Sequence, residues 1–218
     1  MSAGHRLKNL VKEFKIVFWD FDGVIKDSVS VKSLGYTKLF SSFGQEVVDR
    51  VNQHHEVNGG VSRFEKIPLY LSWAGERANP AQIHEFCERF STLVQQAVID
   101  SPWVSGVYEY LMSHYSHQCF ILITGTPQEE IEQILDALKI TRYFKEVHGA
   151  PKIKTTAVSE VLTQMGYSPE QALVIGDSNT DLEAAKENNV AFLLRCTPHN
   201  HSLQEKYSGS RFKNLKNE

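Results

Sequence analysis

The chain has 218 residues, of which 41% are hydrophobic, and it carries a formal net charge of −3. This length suits one large domain or a core with a smaller insertion, and there is enough apolar material for a sizeable core. The charge gives no basic bias toward nucleic acid. No apolar stretch approaches the roughly 20 residues needed to cross a bilayer. We therefore expect a protein that binds neither nucleic acid nor membrane, as a monomer or a small homo-oligomer.

Cysteine usage and the N-terminus indicate a reducing compartment. Cys87, Cys119 and Cys196 are far apart, and no CxxC spacing occurs, so we predict neither a zinc site nor a disulfide framework. The first thirteen residues are polar and basic and lack the apolar segment of a signal peptide. We expect the protein to be cytoplasmic.

Short apolar runs alternate with helical patterns along most of the chain. Such runs are typical of parallel strands that are covered on both faces. Strands are predicted at 16–19, 119–123, 172–175 and 190–194, with a weaker one at 146–148, and helices at 128–139 and 155–165. This alternation predicts an α/β fold with a doubly wound, Rossmann-like parallel sheet.

Residues 27–100 interrupt this alternation. They contain no comparable apolar run and instead show amphipathic stretches at 31–43, 64–74 and 81–97. We predict that they form a helical cap inserted into an α/β core made of residues 1–26 and 101–218. The polar segment after Thr197 is predicted to be a solvated end, as is common for termini.

Two aspartates follow the first predicted strand. Asp20 and Asp22 stand directly after the run Ile16–Trp19, at the carboxyl end of the strand, where open parallel sheets bind ligands. Carboxylates this close repel each other unless a cation or a shared proton relieves them. The pair therefore predicts either a metal site or a division into nucleophile and acid. An Asp-rich turn that caps the next segment is the alternative.

Polar side chains also follow two later strands. Thr124 and Gly125 precede a predicted helix and supply a hydroxyl and backbone N–H groups for an anion, although Thr126 and Pro127 equally suit a plain helix start. Asp177 follows the strand at 172–175 and can complete a magnesium site, because Mg²⁺ prefers oxygen ligands. Asp181 is either a site residue or a charge that favours the helix dipole.

Two lysines lie between these motifs. Lys152 and Lys154 occupy a loop–helix junction, where a cation can balance the charge of acids and a bound phosphate. Lysines at such junctions are usually solvated, so their interest comes from their position between two strand ends that carry a hydroxyl and a carboxylate.

Together these motifs resemble the haloacid dehalogenase (HAD) superfamily. The resemblance rests on DxDGV at 20–24, the apolar run that ends in TGT at 124–126, the downstream lysine, and GDSxxD at 176–181. It covers residues 15 to 195. The helical insertion after the first motif resembles the C1-capped branch, which includes phosphoglycolate phosphatase and β-phosphoglucomutase.

The resemblance implies a Mg²⁺-dependent phosphatase that hydrolyses a small phosphomonoester through an aspartyl-phosphate. In this family pattern Asp20 is the nucleophile and Asp22 the acid and base. Mg²⁺ is held by Asp20, Asp177 and the Asp22 backbone carbonyl. The resemblance implies that Thr124 and Gly125 bind the phosphoryl group. It implies that Lys154 or Lys152 balances its charge, and Lys154 is slightly favoured. Asp181 would orient that lysine or a metal-bound water.

The insertion carries a loop that resembles the substrate-specificity loop of sugar-phosphate-acting relatives. It contains Gly60 and runs on to Arg63, for which the resemblance implies a contact with the far anionic end of the substrate. Ser62 also suits a helix cap, with Glu65 completing a capping box. Lys66, one turn beyond Arg63, is expected to face the same way. The implied partner is a small anionic organophosphate.

Two other functions stay open. A sugar phosphomutase of the same superfamily is one, although Lys32 occupies the position where the mutase relatives carry a cap histidine. A non-catalytic phosphoacceptor or binding protein is the other. A receiver of that kind would end its third strand in a lone acceptor aspartate and would have no inserted cap.

Overall fold

A parallel sheet lies at the centre of the computed structural model, which describes residues 3–216. Its strands are β1 Ile16–Trp19, β2 Cys119–Pro127, β3 Glu146–Ala150, β4 Ala172–Gly176, β5 Ala191–Arg195 and β6 Arg211–Phe212. The spatial order is β3-β2-β1-β4-β5-β6, and every pairing is parallel. The structure confirms the predicted α/β class with a doubly wound parallel sheet.

Helices cover the sheet and form the insertion. They are α1 Ala3–Lys12, α2 Val29–Phe40, α3 Gln45–Val57, α4 Arg63–Trp73, α5 Pro80–Asp100, α6 Val107–His114, α7 Gln128–Ala137, α8 Lys154–Met165, α9 Asn179–Glu187 and α10 His201–Lys206. No helix in residues 3–216 combines the length and the apolar character needed to span a bilayer.

The continuous apolar run of β1 follows from burial on both faces of the sheet. All four of its residues are fully buried. Side chains alternate along a strand, and accordingly Val17 and Trp19 belong to one hydrophobic cluster while Ile16 and Phe18 belong to the other. Central position in the sheet therefore explains why β1 lacks the alternating polar residues of a half-exposed strand.

The insertion consists of α2 to α5 and has an aromatic core of its own. Tyr36 stacks on Phe90 with ring centroids 4.1 Å apart and meets Tyr70 edge-on at 5.4 Å. Gly35 lets α2 approach α5, because an added Cβ would lie 2.3 Å from Val94 Cγ1. The division into a core (1–26 and 101–218) and a cap (27–100) stays a prediction, and residues 1, 2, 217 and 218 lie outside the described residues.

The two crossings between sheet and insertion run side by side. The backbone N–H of Asp27 donates to the carbonyl of Pro102 at 2.8 Å, and that of Val104 donates to Ile25 at 3.0 Å. These bonds join the chain as it leaves β1 to the chain as it returns from α5.

The polar C-terminal segment is not a solvated end, so that prediction was wrong. Leu203, Phe212 and Leu215 are buried, and β6 pairs with β5 at the edge of the sheet. The backbone of Leu215 packs against Gly106, where an added Cβ would lie 2.4 Å from the Leu215 carbonyl carbon. Three apolar residues spread among polar ones suffice to anchor the segment.

Candidate active site

A cavity of about 500 Å³ opens at the carboxyl ends of β1, β2 and β4. The core side of its lining includes Asp20, Thr124, Lys154 and Asp177. Residues of the insertion complete it, among them Lys32, Gly60, Arg63 and Lys66. The motifs are far apart in the sequence, and the parallel strands bring them to one edge of the sheet.

Three buried carboxylates meet in this cavity. One oxygen each from Asp20, Asp177 and Asp181 lies within 4.8 Å of the others. Burial, with the neighbouring Asp181 carboxylate, raises the pKa of Asp20 to about 7. Burial and the nearby Asp20 also raise the pKa of Asp177 well above its usual range. A cation is needed to keep Asp20 and Asp177 ionised together at neutral pH.

Lys154 supplies one such cation. Its ammonium donates to Asp20 Oδ1 at 2.8 Å and to Asp181 Oδ1 at 2.7 Å. Burial opposes the charged lysine, but Asp181 and Asp20 outweigh it, and the pKa of Lys154 is raised. Asp181 also accepts from the backbone N–H and the hydroxyl of Ser178, at 3.1 and 2.5 Å. Both oxygens of Asp181 are therefore engaged within the protein, in a position to orient Lys154.

The structure does not bring Lys152 into the cavity. Lys152 is partly exposed and forms an ion pair with Glu160, which lies nearly two turns along α8 from the helix start. The two lysines differ in position. Lys154 is the first residue of α8 and its side chain is buried beside Asp20 and Asp181. Lys152 precedes the helix and pairs with a residue of α8 that is exposed.

The Asp22 carboxylate has partners that differ from those of the acidic cluster. It accepts hydrogen bonds from Ser28 Oγ at 2.7 Å and Thr126 Oγ1 at 3.2 Å, and it forms an ion pair with Lys32 of α2. Burial acts to raise the pKa of Asp22, but Lys32 and these hydrogen bonds outweigh it, so the pKa is lowered. Asp22 is thus held ionised by a residue of the insertion.

The loop of the insertion touches two of the core motifs through glycines. A Cβ added at Gly125 would lie 2.7 Å from the Gly60 carbonyl oxygen. One added at Gly60 would lie 2.1 Å from Thr180 Oγ1 and 2.3 Å from Ser178 Oγ. The insertion therefore closes on the TGT and GDSxxD motifs at a point where no side chain fits.

Arg63 lines the cavity, but its guanidinium already has an anionic partner. It donates to both carboxylate oxygens of Glu130 on α7, each at 2.7 Å, and Ser91 of α5 completes the cluster. Arg63 and Glu130 are both buried. This arrangement does not test the predicted contact of Arg63 with a distal anionic group of the substrate. It shows a buried ion pair between the insertion and the core.

Lys66 also lines the cavity, and its nearest polar group is a histidine. Its Nζ lies 3.0 Å from His55 Nδ1. Both residues are buried, and no carboxylate of the described residues lies within ion-pair distance of Lys66. Burial, with the nearby Lys32 ammonium, lowers the pKa of Lys66 to about 7.

Three residues that were not predicted, Ser28, His55 and Glu130, each contact a predicted site residue. Thr126 was predicted only as part of the TGT motif and as a helix start, and it donates to Asp22. These residues and their partners are separated by 6 to 104 residues in the sequence. Local residue spacing therefore could not predict the contacts between distant residues. Lys32 was noted only as the residue at the mutase histidine position.

The donor set fits a hard divalent cation. Within residues 3–216 the Asp177 carboxylate accepts no hydrogen bond from another protein group, although it is only 9% exposed. It lies against the backbone at Gly23, where an added Cβ would be 2.1 Å from Asp177 Oδ2. A carboxylate beside Asp20 that has no hydrogen-bond partner within residues 3–216, and that a cation would keep ionised, is the kind of oxygen ligand that Mg²⁺ takes.

Comparisons with known proteins show which family and fold the chain resembles. A phosphoglycolate phosphatase of Pseudomonas aeruginosa is 25% identical over 197 residues, covering 86% of this chain and 71% of the relative. Two solved structures share the fold. A predicted phosphoglycolate phosphatase from Haemophilus somnus has a TM-score of 0.72 at 20% identity, covering 93% of this chain and 95% of the other.

The second solved structure is a β-phosphoglucomutase from Clostridium difficile, with a TM-score of 0.74 at 17% identity over 93% and 92% of the two chains. At these identities both structures establish the fold alone. The family model described as haloacid dehalogenase-like hydrolase matches residues 17–194. This match spans all the predicted motifs and confirms both the resemblance and the predicted hydrolase class. The chain belongs to the haloacid dehalogenase-like hydrolase family.

Proposed function

We propose that this protein is a Mg²⁺-dependent phosphatase that hydrolyses a small anionic phosphomonoester through an aspartyl-phosphate on Asp20. The observation that carries the proposal is the convergence of a nucleophile, a phosphate cradle and a cation at one cavity. Asp20, Thr124 and Lys154 line it together, with the Asp177 carboxylate beside them. The phosphoglycolate phosphatases among the relatives support the same reaction class.

Asp20 and Asp22 have different partners, which suits different roles. A carboxylate oxygen of Asp20 attacks phosphorus, the ester P–O bond breaks, and Asp22 gives its proton to the leaving oxygen. Asp22 then takes a proton from water, whose oxygen attacks the same phosphorus and frees Asp20. The ionised Asp22 of this structure is the form needed for the second step. The first step requires Lys32 to move off Asp22.

The remaining residues bind and orient the phosphoryl group. Thr124 and the Gly125 backbone N–H bind its oxygens, and Lys154 balances its charge while Asp181 holds Lys154 in place. Asp20, Asp177 and the Asp22 backbone carbonyl would hold Mg²⁺. When bound, the ion offsets the negative charge of the carboxylates and of the transferring phosphoryl group.

A phosphomutase is less well supported. Lys32 stands at the position of the mutase histidine and is ion-paired to Asp22. The fold shared with β-phosphoglucomutase does not distinguish mutase from phosphatase. A silent binding protein would not need the buried Lys154 between Asp20 and Asp181, which is costly unless its charge is used. A cytoplasmic location stays a prediction.

The test is hydrolysis of p-nitrophenyl phosphate by the purified protein. We expect turnover with Mg²⁺ and none after EDTA treatment, because the Asp20–Asp177 pair needs the cation. Asp20→Asn removes the nucleophile and should reduce turnover to background, whereas Asp49→Asn, an exposed change in α3, should not. Undiminished turnover by Asp20→Asn would contradict the nucleophile assignment.

A further inference from the structure

The segment that follows β5 reaches the cavity and contacts the backbone of a proposed metal ligand. Residues 197–203 belong to the cavity lining, although the family match ends before them, at residue 194. Half-buried Asn200 donates through Nδ2 to the carbonyl oxygen of Asp177 at 2.7 Å and to that of Arg195 at 2.8 Å. The reaction proposed above assigns no role to this side chain.

The two acceptors of Asn200 lie just beyond the pairing of neighbouring strands. The last pair between β4 and β5 joins Gly176 to Leu194, and Asp177 and Arg195 are the residues that follow. Backbone carbonyls in a buried region need a hydrogen-bond donor. The Asn200 amide supplies one to each strand at the point where their own pairing stops.

The hydrogen-bond partners of Asn200 fix the orientation of its amide group. Both groups that face Nδ2 are carbonyl oxygens, which can only accept. On the other side, Oδ1 accepts from the backbone N–H of Thr197 at 2.9 Å and from Gln204 Nε2 at 2.6 Å. An asparagine side chain has two N–H donors and an oxygen with two lone pairs. All of them are used, so the side chain is held on both sides.

The position of Asn200 before α10 does not explain these contacts. An asparagine directly before a helix usually accepts a hydrogen bond from a backbone N–H of the first turn. The Asn200 side chain makes no such bond to α10. It is directed instead at the ends of β4 and β5, so its contacts serve the sheet edge and not the helix start.

The Asp177 carboxylate depends on its backbone for its position. It accepts no hydrogen bond from another group within residues 3–216. On the N-terminal side, Gly176 packs against Asp181, where an added Cβ would lie 2.2 Å from Asp181 Cβ. On the C-terminal side, the Asp177 carbonyl is held by Asn200. The backbone is thus fixed on both sides of the carboxylate.

We propose that Asn200 is a positioning residue for the metal site. By holding the Asp177 carbonyl, it determines where the Asp177 carboxylate meets Mg²⁺. This inference rests on the proposed function, in which Asp177 is a Mg²⁺ ligand. Groups that orient metal ligands without touching the metal contribute strongly to metal affinity. The segment after β5 is thereby part of the active site as well as of the fold.

Asn200→Ala provides the test, with Gln204→Ala as the matched control. Asn200→Ala removes the hydrogen bonds to Asp177 and Arg195. Gln204→Ala removes the bonds to Thr197 and Asn200 in the same segment but leaves Asn200 on Asp177. Both variants should lower the Tm, because each leaves polar groups without partners. Asn200→Ser is a second variant, since serine is also favourable before a helix and removes the amide.

Mg²⁺ binding is measured by calorimetry on each purified protein without substrate. We expect the Kd for Mg²⁺ to rise about 10- to 100-fold in both Asn200 variants and to change by less than about twofold in Gln204→Ala. A merely structural role of Asn200 would weaken Mg²⁺ binding in proportion to the loss of stability, and the control would then show it too. If Asn200→Ala does not fold, Asn200→Ser decides.

Equal changes at the two positions, or an unchanged Kd in the Asn200 variants, would overturn the inference. Wild-type protein that binds no Mg²⁺ would overturn it together with the proposed metal site. Because no substrate is present, the result is separate from hydrolysis. Asn200-dependent Mg²⁺ binding without turnover of p-nitrophenyl phosphate would refute the phosphatase and keep the positioning role. Asp20-dependent turnover, with Mg²⁺ binding that is indifferent to Asn200, would do the reverse.

Discussion

Arg63 of the insertion and Glu130 of the core form a bidentate ion pair, with both N···O distances at 2.7 Å. The pair is almost completely buried, and Ser91 donates a further hydrogen bond to Glu130 at 2.6 Å. Two parallel hydrogen bonds fix the relative orientation of the groups they join. The pair therefore fixes α4 of the insertion against α7 of the core.

Glu130→Gln should destabilise the protein, because it leaves the Arg63 guanidinium buried without its counterion. We expect the free energy of unfolding to fall by about 3 kcal/mol, the order observed when one partner of a buried pair is removed. Urea denaturation measures the change. Glu129→Gln, at the exposed neighbouring position, is the control. Equal stability of the two variants would show that the pair does not hold the structure.

Mg²⁺ should stabilise the protein more at about pH 8 than at about pH 5, since ligand carboxylates must be ionised to bind it. The pKa of Asp20 is raised from 3.8 to about 7, so between these values the folded protein binds more protons than the unfolded chain. Without the cation, the contribution of Asp20 to stability therefore falls as the pH rises through this range.

The measurement for this prediction is the Mg²⁺-induced shift in Tm at the two pH values. Asp177→Asn, which removes a proposed ligand, should abolish the shift while relieving repulsion in the metal-free protein. A shift of the same size at both pH values, or one retained by Asp177→Asn, would contradict the proposed metal site.

Gly60→Ala should impair turnover without unfolding the protein. The added methyl group would lie within 2.3 Å of two hydroxyl oxygens, Ser178 Oγ and Thr180 Oγ1, so the loop of the insertion must lift. A displacement of this kind costs about 10- to 100-fold in kcat/KM. Gly59→Ala is the matched control, because an added Cβ there meets nothing within 4 Å. If both variants kept wild-type kinetics, close approach at Gly60 would be irrelevant to catalysis.

Replacing each lysine of the loop–helix junction separates their roles. Lys154→Met removes the cation between Asp20 and Asp181, and we expect kcat to fall by about 100-fold or more. Lys152→Met removes only a partly exposed ion pair with Glu160 and should alter kcat by less than about twofold. Steady-state kinetics on p-nitrophenyl phosphate measures both. A larger loss for Lys152→Met would reverse the assignment.

The sheet and its motifs could be predicted because they depend on local patterns. Each buried strand appears as an apolar run, and the chemistry-bearing residues follow directly, as Asp20 follows Trp19. The parallel arrangement then brings the strand ends together. The sequence pattern does not choose between Lys152 and Lys154, since the choice depends on where α8 begins, and α8 begins one residue before the predicted helix.

Partnerships across the fold could not be predicted. Glu130 lies 67 residues from Arg63, and its sequence context is that of an ordinary acidic first turn of a helix. The C-terminal segment was misjudged for a related reason. Phe212 and Leu215 are isolated among polar residues. Phe212 is in a strand because β5 lies beside it, and the backbone N–H of Leu215 donates to the carbonyl of Ser105, far away in the sequence.

The two hydrogen-bonded crossings beside β1 also constrain how the insertion moves. Because Asp27 is bonded to Pro102 and Ile25 to Val104, the two chains form a narrow ribbon rather than two independent tethers. A ribbon bends across its flat face more easily than within its plane. Any displacement of the insertion from the sheet must therefore bend both crossings together, so the approach of Gly60 to Gly125 depends on two coupled segments and not on one.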